Sequence, residues 1–261
     1  MKRYIVFLKQ VPLSTHVAID PKTNTLKRAS AMTQTNPDDL YALQAALDLK
    51  KQTEAEVVAV SMGPASAVEV LHEALQRGAD QAVLLSSPVF AGSDTWCTSR
   101  VLATAVRKLG SFDLLFFGRM AIDGDTAQVG PEVAGQLNIP QVTQLLGIER
   151  VEASHIYVNK QADVMRQTLE IQLPCALMVG KEYGNLANPT LRGWRWAEAQ
   201  TIVRWDEHDL DLTRQEVGLD ASPTQVVRTE VPRQEKVIQW LADGEQFLAQ
   251  IQALTLKANE R

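Results

Sequence analysis

Residues 112–137 read FDLLFFGRMAIDGDTAQVGPEVAGQL. The opening run, 112–117, is strongly apolar and predicts a strand. It ends in Gly118, passes through a polar, glycine-bearing stretch, and predicts a helix starting near Thr126. A strand, a short loop and a helix in that order leave the first N–H groups of the helix unpaired at its positive end. Such an end is a ready seat for phosphate. Gly118, Gly124 and Gly130 allow close backbone approach, and Thr126 and Gln128 offer side-chain hydrogen bonds. A plainer reading has Asp123 and Asp125 capping the helix and the glycines serving the turn. Spacing alone leaves both readings open.

The same alternation runs upstream. Residues 4–8 predict a first strand, followed by a polar loop with Pro12 and Pro21. Asn36-Pro37-Asp38-Asp39 then opens a helix: Asn36 suits the N-cap, Pro37 the first turn, and the two aspartates face the positive end of the dipole. Leu40, Leu43, Ala46, Leu47 and Lys50 continue it at helical spacing. Residues 56–62 (EVVAVSM) predict a doubly buried strand, Gly63-Pro64 a turn, 65–77 a helix closed by Gly78, and 81–85 another strand. Ser93 or Asp94 caps a helix running to Leu109.

Past Pro140 the texture changes. Residues 143–157 and 166–173 alternate like strands, and 175–179 form a short apolar one. A loop over 184–204 carries a short helix with Trp194 and Trp196. Residues 206–233 read as irregular and polar. A last helix over 235–257 aligns Val237, Trp240, Leu241, Phe247, Leu248, Ile251 and Leu254. An exposed apolar stripe of that kind needs a partner. The predicted fold is α/β: a Rossmann-like parallel sheet flanked by helices, with an extended C-terminal arm ending in a helix. The domain organisation read here is an α/β nucleotide-binding domain over 1–205 and an arm over 206–261.

Composition narrows the function. The chain has 261 residues, 45% of them hydrophobic and 22% charged, with a formal net charge of −5. That balance argues against nucleic acid as the main partner, which would call for clustered Lys and Arg. Cys97 and Cys175 lie among apolar or small residues, without a CxxC pair or a histidine at ligand spacing, so they read as buried thiols in a reducing cytoplasm. The start, MKRYIVFLKQVP, carries two basic residues, but Lys9 ends its apolar run far short of a secretory segment or a membrane span. No GxxxxGK[ST] or GxGxxG motif occurs. The histidines at 16, 72, 155 and 208 are scattered, and no serine or cysteine stands in a triad-like order with them. Ser61 and Ser93 lack a nucleophile-elbow context. Nothing here reads as a catalytic constellation, so a stand-alone enzyme is the weaker class of function.

Five stretches carry a family resemblance: LKQVP (8–12), NPDD (36–39), SMGP (61–64), FAGSDTW (90–96) and GRMAIDGDTAQVGPEVA (118–134). In this order and spacing they resemble the beta (small) subunits of electron-transfer flavoproteins, well over residues 1–180 and loosely beyond. The resemblance implies a heterodimer whose alpha subunit holds most of the FAD. The beta subunit would hold AMP or, in electron-bifurcating members, a second FAD. Carried over by motif, the nucleotide contacts are Phe7; Asn36, Pro37, Asp38 and Asp39; and Met62. They continue along the loop as Gly118, Arg119, Met120, Ala121, Ile122 and Asp123, then Gly124, Asp125, Thr126, Ala127, Gln128 and Val129. The FAGSDTW and DGDTAQVGP stretches look like the anaerobic, bifurcating-like subgroup. Electrons would pass from a dehydrogenase or NADH through the partner's FAD to an acceptor such as a quinone reductase. The chain itself would be a carrier subunit, not an enzyme.

Two places depart from the family pattern. A usual glycine-rich turn reads Lys160-Gln161-Ala162-Asp163 here, and a usual Arg-Tyr pair is missing from Ala187-Asn188-Pro189-Thr190-Leu191. The resemblance implies that Leu191 docks the redox partner. A different class of function, a stand-alone ATP or AMP binder of the universal-stress type, would use a similar sheet as a homodimer without flavin.

Overall fold

The computed structural model describes residues 2–13, 32–227, 238 and 240–259, with backbone only for 253–259. In chain order the elements are β1 (Arg3–Phe7), β2 (Gln10–Pro12), β3 (Thr33–Thr35), α1 (Pro37–Thr53), β4 (Glu56–Met62), α2 (Val68–Arg77), β5 (Gln81–Leu85) and α3 (Thr95–Leu109). They continue as β6 (Leu114–Gly118), α4 (Val129–Leu137), β7 (Gln141–Val151), β8 (His155–Ala162), β9 (Met165–Gln172), β10 (Cys175–Val179), α5 (Leu191–Glu198), β11 (Val203–Trp205) and α6 (Gly244–Asn259). The chain divides into two compact units, Met1–Val226 and Val227–Arg261.

The first unit is built on a nine-stranded sheet in the order β11-β5-β4-β1-β6-β10-β7-β8-β9. From β11 to β7 neighbouring strands run parallel, and β8 and β9 extend the sheet as antiparallel hairpins. The period of two along β1 divides the interior. Tyr4, Val6 and Leu8 face α1, α2 and Ala197 of α5, while Ile5 and Phe7 face α3, α4 and the buried Leu210, Leu212 and Val217. Helices thus cover both faces, as the near-continuous apolar runs of β4, β6 and β10 demand.

The chain leaves β1, moves outward through β4 and β5, then returns to β1's other flank as β6. This reversal makes β1 and β6 the switch point of the sheet, with Val6 opposite Phe116. In open α/β sheets the crevice beyond the strand ends at such a point is where ligands bind.

Several expectations are corrected. The helix expected from Thr126 starts at Val129, because Asp125 and Ala127 are left-handed (φ 49 and 53) and cannot join a right-handed turn. The run 143–157 is broken by a turn in which Glu152 N donates to His155 O (2.8 Å), so β8 extends to Ala162. In the next turn Asp163 takes φ 46, a left-handed conformation that aspartate tolerates. The segment beside the tryptophan helix also contains β11, which pairs with β5. The stretch expected to open the second helix, 65–67, is a 3₁₀ turn before α2.

In the second unit the last helix starts at Gly244, not 235. Asp243 Oδ1 accepts from Gln246 N (2.9 Å), and Gln246 Oε1 accepts from Ala242 N (3.1 Å), a reciprocal cap that fixes the helix start there. Trp240 and Leu241 therefore precede the helix. Val237 lies outside the described residues, and so does the side chain of Leu254.

Asp94 caps α3 as expected: its Oδ1 accepts from Cys97 N (3.0 Å), while Oδ2 accepts from Thr224 N (3.0 Å) and Thr224 Oγ1 (2.8 Å). Burial pushes this carboxyl up, but the bonds from Cys97 and Thr224 outweigh it and hold its pKa below the usual value. Its stabilising contribution is therefore full above the unfolded-state pKa and is lost as pH falls through the folded one. Asp94→Ala should cost about 1–2 kcal/mol at pH 7, as lost caps do. In denaturant titrations the gap to wild type should close as pH falls below about 4.

Candidate functional site

At the carboxyl end of β1 the chain passes from Phe7 into Leu8 and Lys9, and at that of β6 from Phe117 into Gly118 and Arg119. Phe7 and Phe117 stack across the switch point with centroids 4.3 Å apart and planes 7° from parallel. Both are buried in the core cluster that packs against α3 and α4. Met62 is half-buried at the neighbouring end of β4. Beside it Ser61 Oγ is buried with no hydrogen-bond partner among the described residues.

The start of α1 lies across these ends. Asn36 sits at the N-cap position, but its side chain makes no cap bond. Instead Asn36 Nδ2 donates to Met120 O (2.9 Å) and to Asp39 Oδ1 (2.9 Å), and Asn36 Oδ1 accepts from Ile122 N (3.1 Å). Asp39 Oδ2 accepts from Lys9 N (2.7 Å). Burial drives the Asp39 carboxyl up to about 7, against the lowering effect of the bonds from Asn36 and Lys9. Asp38 is also pushed up, first by burial and less by Glu182, while Arg119 opposes the rise. Arg119 Nε stands 3.3 Å from Asp38 Oδ2, and Nη1 is 3.8 Å from Glu182 Oε1. Lys9 Nζ pairs with Asp123 Oδ1 at 2.7 Å.

The glycines of this loop do separate work. A Cβ on Gly118 would collide with the Asp39 carboxylate and come within 2.8 Å of Asp39 N, so only glycine lets α1 close on β6. A Cβ on Gly130 would lie 2.9 Å from Met178 Cε and 3.2 Å from Phe117 Cγ, so this glycine seats α4 on the sheet. Around Gly124 there is open space. The close approach expected of all three is thus confined to Gly118 and Gly130, and it is to the chain's own groups.

Between them the loop turns through Ala121 O, which accepts from Gly124 N (3.2 Å) and Asp125 N (2.9 Å). Residues 122–128 are exposed. Among the described residues no backbone or side-chain acceptor meets the N–H groups of residues 126–130, the segment that leads into the first turn of α4. Left-handed Asp125 and Ala127 alternate here with residues of ordinary φ, the pattern from which backbone anion nests are made. Together with the dipole of α4, this concentrates unpaired donors where a phosphate group would fit. Asp123 and Asp125 make no cap bond to α4, whose N-cap is Gln128.

The structure thus brings Phe7, Asn36, Pro37, Asp38, Asp39, Met62 and the loop 118–129 to one end of the sheet. Leu191 is elsewhere. It opens α5, where Gly193 packs on Gln76 O in the last turn of α2, away from the strand carboxyl ends. Its side chain is 71% exposed, and Trp194 and Trp196 are exposed beside it. Ala187 is held from both sides, donating to Gln44 Oε1 (2.9 Å) and accepting from Arg77 Nη1 (2.7 Å).

Three participants were not singled out from sequence: Lys9, Glu182 and Thr95. Lys9 acts through its backbone N–H, which no side-chain pattern reveals. Glu182 reaches Arg119 across two loops. Thr95 Oγ1 meets Gln128 Oε1 (3.3 Å) and Glu132 Oε1 (3.0 Å), linking the start of α3 to that of α4. The SDT triplet before α3 was its available signal.

Among the described residues no cluster of His, Cys, Asp and Glu could hold a metal ion, and no helix is long and apolar enough to cross a membrane. Cys97 and Cys175 are free and buried, and burial pushes the Cys175 thiol up to about 12.

The electron transfer flavoprotein domain matches residues 23–207. The caffeyl-CoA reductase–Etf complex subunit CarD of Acetobacterium woodii is 43% identical over 231 residues, covering 88% of each chain. The electron transfer flavoprotein subunit beta of Thermoanaerobacterium thermosaccharolyticum is 38% identical over 258 residues, 98% of this chain and 96% of the relative. The acryloyl-CoA reductase electron transfer subunit gamma of Anaerotignum propionicum is 38% identical over 245 residues, 90% of each. A matching domain model and relatives aligned over most of their length converge: the chain belongs to the electron transfer flavoprotein family, among its beta subunits.

Proposed function

We propose that this chain holds an adenine nucleotide, AMP or a second FAD, at the strand ends of β1, β4 and β6, and works as a cytoplasmic carrier subunit paired with an alpha subunit that holds FAD. The observation that carries the reading is the row of N–H groups over residues 126–130, which meet no acceptor among the described residues and of which 126–128 lie on the exposed loop before α4. These donors suit the phosphate of AMP and the diphosphate of FAD alike. The residues around them fit that group. The Phe7–Phe117 stack stands at the strand ends, Met62 lies at the neighbouring end of β4, and Ser61 Oγ is an orphaned polar atom beside it. When bound, a flavin supplies the one- and two-electron chemistry. This chain's part is to seat the phosphate, orient the adenosine and exclude water at the stack.

Of the arm read over residues 206–261, 206–226 belong to the first compact unit, and the part beyond docks on the alpha subunit, with the exposed Trp240, Phe247 and Leu248 as its apolar contacts. Leu191, with Trp194 and Trp196 beside it, faces the redox partner, a dehydrogenase or quinone reductase. The likeness to subunits named for caffeyl-CoA and acryloyl-CoA reductase complexes supports the bifurcating-like subgroup, and with it a second FAD. The stand-alone universal-stress type of binder is not favoured, because the family match covers residues 23–207, which hold every strand of the main sheet but β1.

Co-expression with the alpha subunit, followed by visible spectroscopy and acid extraction, tests the reading. A yellow heterodimer is expected, and two flavins per dimer rather than one would assign FAD to this subunit. A colourless lone chain that releases ATP would overturn it. Thr126→Asp should place a negative charge beside the seat and lower nucleotide affinity about tenfold or more at low ionic strength, less at high salt. Isothermal titration at two salt concentrations reads this effect.

A further inference from the structure

We propose that Asp39 is a positioning residue and not a nucleotide contact: with Asn36 it fastens the end of β1 to the end of β6, and thereby sets the loop that presents the phosphate-binding amides. The inference rests on the nucleotide reading above and assigns this residue a different part from the one the family motif implies.

The geometry leaves Asp39 little else to do. Both its carboxylate oxygens are taken, Oδ2 by Lys9 N (2.7 Å) and Oδ1 by Asn36 Nδ2 (2.9 Å), and the residue is buried. Gly118 seals its remaining side, since a Cβ there would strike the carboxylate. Asn36, with no exposed surface at all, uses its carboxamide as a spare peptide unit against Met120 O and Ile122 N. Lys9, Asn36, Asp39, Gly118, Met120 and Ile122 thus form one closed chain of contacts spanning the switch point. Two residues beyond Ile122 the backbone turns on Ala121 O and starts toward the unpaired amides. If the knot slackens, the turn loses its anchor and the row of N–H groups loses its direction.

The ionisation of Asp39 separates positioning from mere stability. The charged groups facing it are Lys9, whose ammonium is paired with Asp123, and Asp38, which is paired with Arg119. Burial lifts the Asp39 pKa to about 7, so the folded chain holds this proton more tightly than the unfolded one, and stability falls as pH rises from about 4 to 7. The fastening runs the other way. The carboxylate accepts from both N–H donors, whereas a proton on either oxygen turns an acceptor toward a donor and breaks one bond. Nucleotide affinity should therefore rise through pH 7 while the contribution of this group to stability has fallen.

The test uses the heterodimer, stripped of nucleotide and titrated calorimetrically with AMP and with FAD between pH 6 and 8. Wild type, Asp39→Asn, Asn36→Ala and Thr53→Ala are compared, each with its thermal midpoint. Thr53 bonds the Tyr4 hydroxyl (2.9 Å) in the last turn of α1 and serves as a stability control. Asp39→Asn and Asn36→Ala should each bind roughly 10- to 100-fold more weakly at pH 8, the range expected when a hydrogen bond to a charged group is lost. For Asp39→Asn the ratio to wild type, which cancels the ionisation of AMP's own phosphate, should shrink toward pH 6. Thr53→Ala should bind as wild type does. Wild-type affinity and pH profile in Asp39→Asn, or equal weakening in Thr53→Ala at a similar thermal shift, would overturn the inference alone. A wild-type heterodimer that binds neither AMP nor FAD would overturn the nucleotide reading and this inference with it.

Discussion

Where α1 begins, a buried carboxylate meets a glycine, and the working end of the sheet depends on that contact. Asp39 can sit against β6 only because Gly118 has no side chain, and its charge is tolerable only because two N–H donors meet its oxygens. An unpaired buried carboxylate would cost several kcal/mol or take up a proton. With a pKa of about 7 the group stands near balance between those outcomes. The site is thus built around a group that neither folding nor ionisation leaves idle. Its partners are the Lys9 backbone N–H and the Asn36 carboxamide, which itself meets Met120 O and Ile122 N, so the geometry of the loops is coupled through these two side chains.

The surrounding architecture makes that coupling matter. Strands β4, β1, β6 and β10 are held in register by two cores, one on each face, so their ends cannot shift independently. Rigid strand ends alone would leave the following loops free to take many paths. The carboxamide of Asn36 removes that freedom for residues 120–122, and the close fit of Gly130 on Met178 and Phe117 removes it for the start of α4. Between these two anchors the left-handed residues Asp125 and Ala127 are the chain's means of covering the distance. For alanine that conformation is sterically costly, and a strained backbone persists only where its surroundings over-determine it.

Much of the fold was legible because its signals are local. Continuous apolar runs marked β4, β5 and β10 to the residue, and Gly78 marked the end of α2. Signals that depend on partners were not. Asn36 has the composition of an N-cap, but its side chain is taken by Met120 and Ile122, more than eighty residues away. Nothing near Thr126 betrays that Asp125 and Ala127 take positive φ, so the helix start was placed too early. At α6 an apolar periodicity extends upstream of the helix, whereas the reciprocal cap between Asp243 and Gln246 decides where the helix begins. Of the site, the loop and the strand ends were legible from motif. The division of labour inside it, with some residues presenting groups and others holding them, follows from contacts that spacing does not encode.

On the proposed reading, that division also bears on why the phosphate seat is built from backbone amides. A carrier subunit must hold its cofactor in one orientation through changes of charge, and titrating or nucleophilic groups in contact with it would add competing reactions. Backbone amides avoid this: they donate at every pH, have no rotamers to reorder, and carry a fixed dipole. Their weakness is that orientation depends wholly on the backbone path. A seat made of amides therefore transfers its chemical requirements to the residues that fix the path. On the proposed reading the side chains exposed at 126–128 border the seat, while the buried pair behind it, Asn36 and Asp39, together with the glycine that lets them close, fixes the path that orients it.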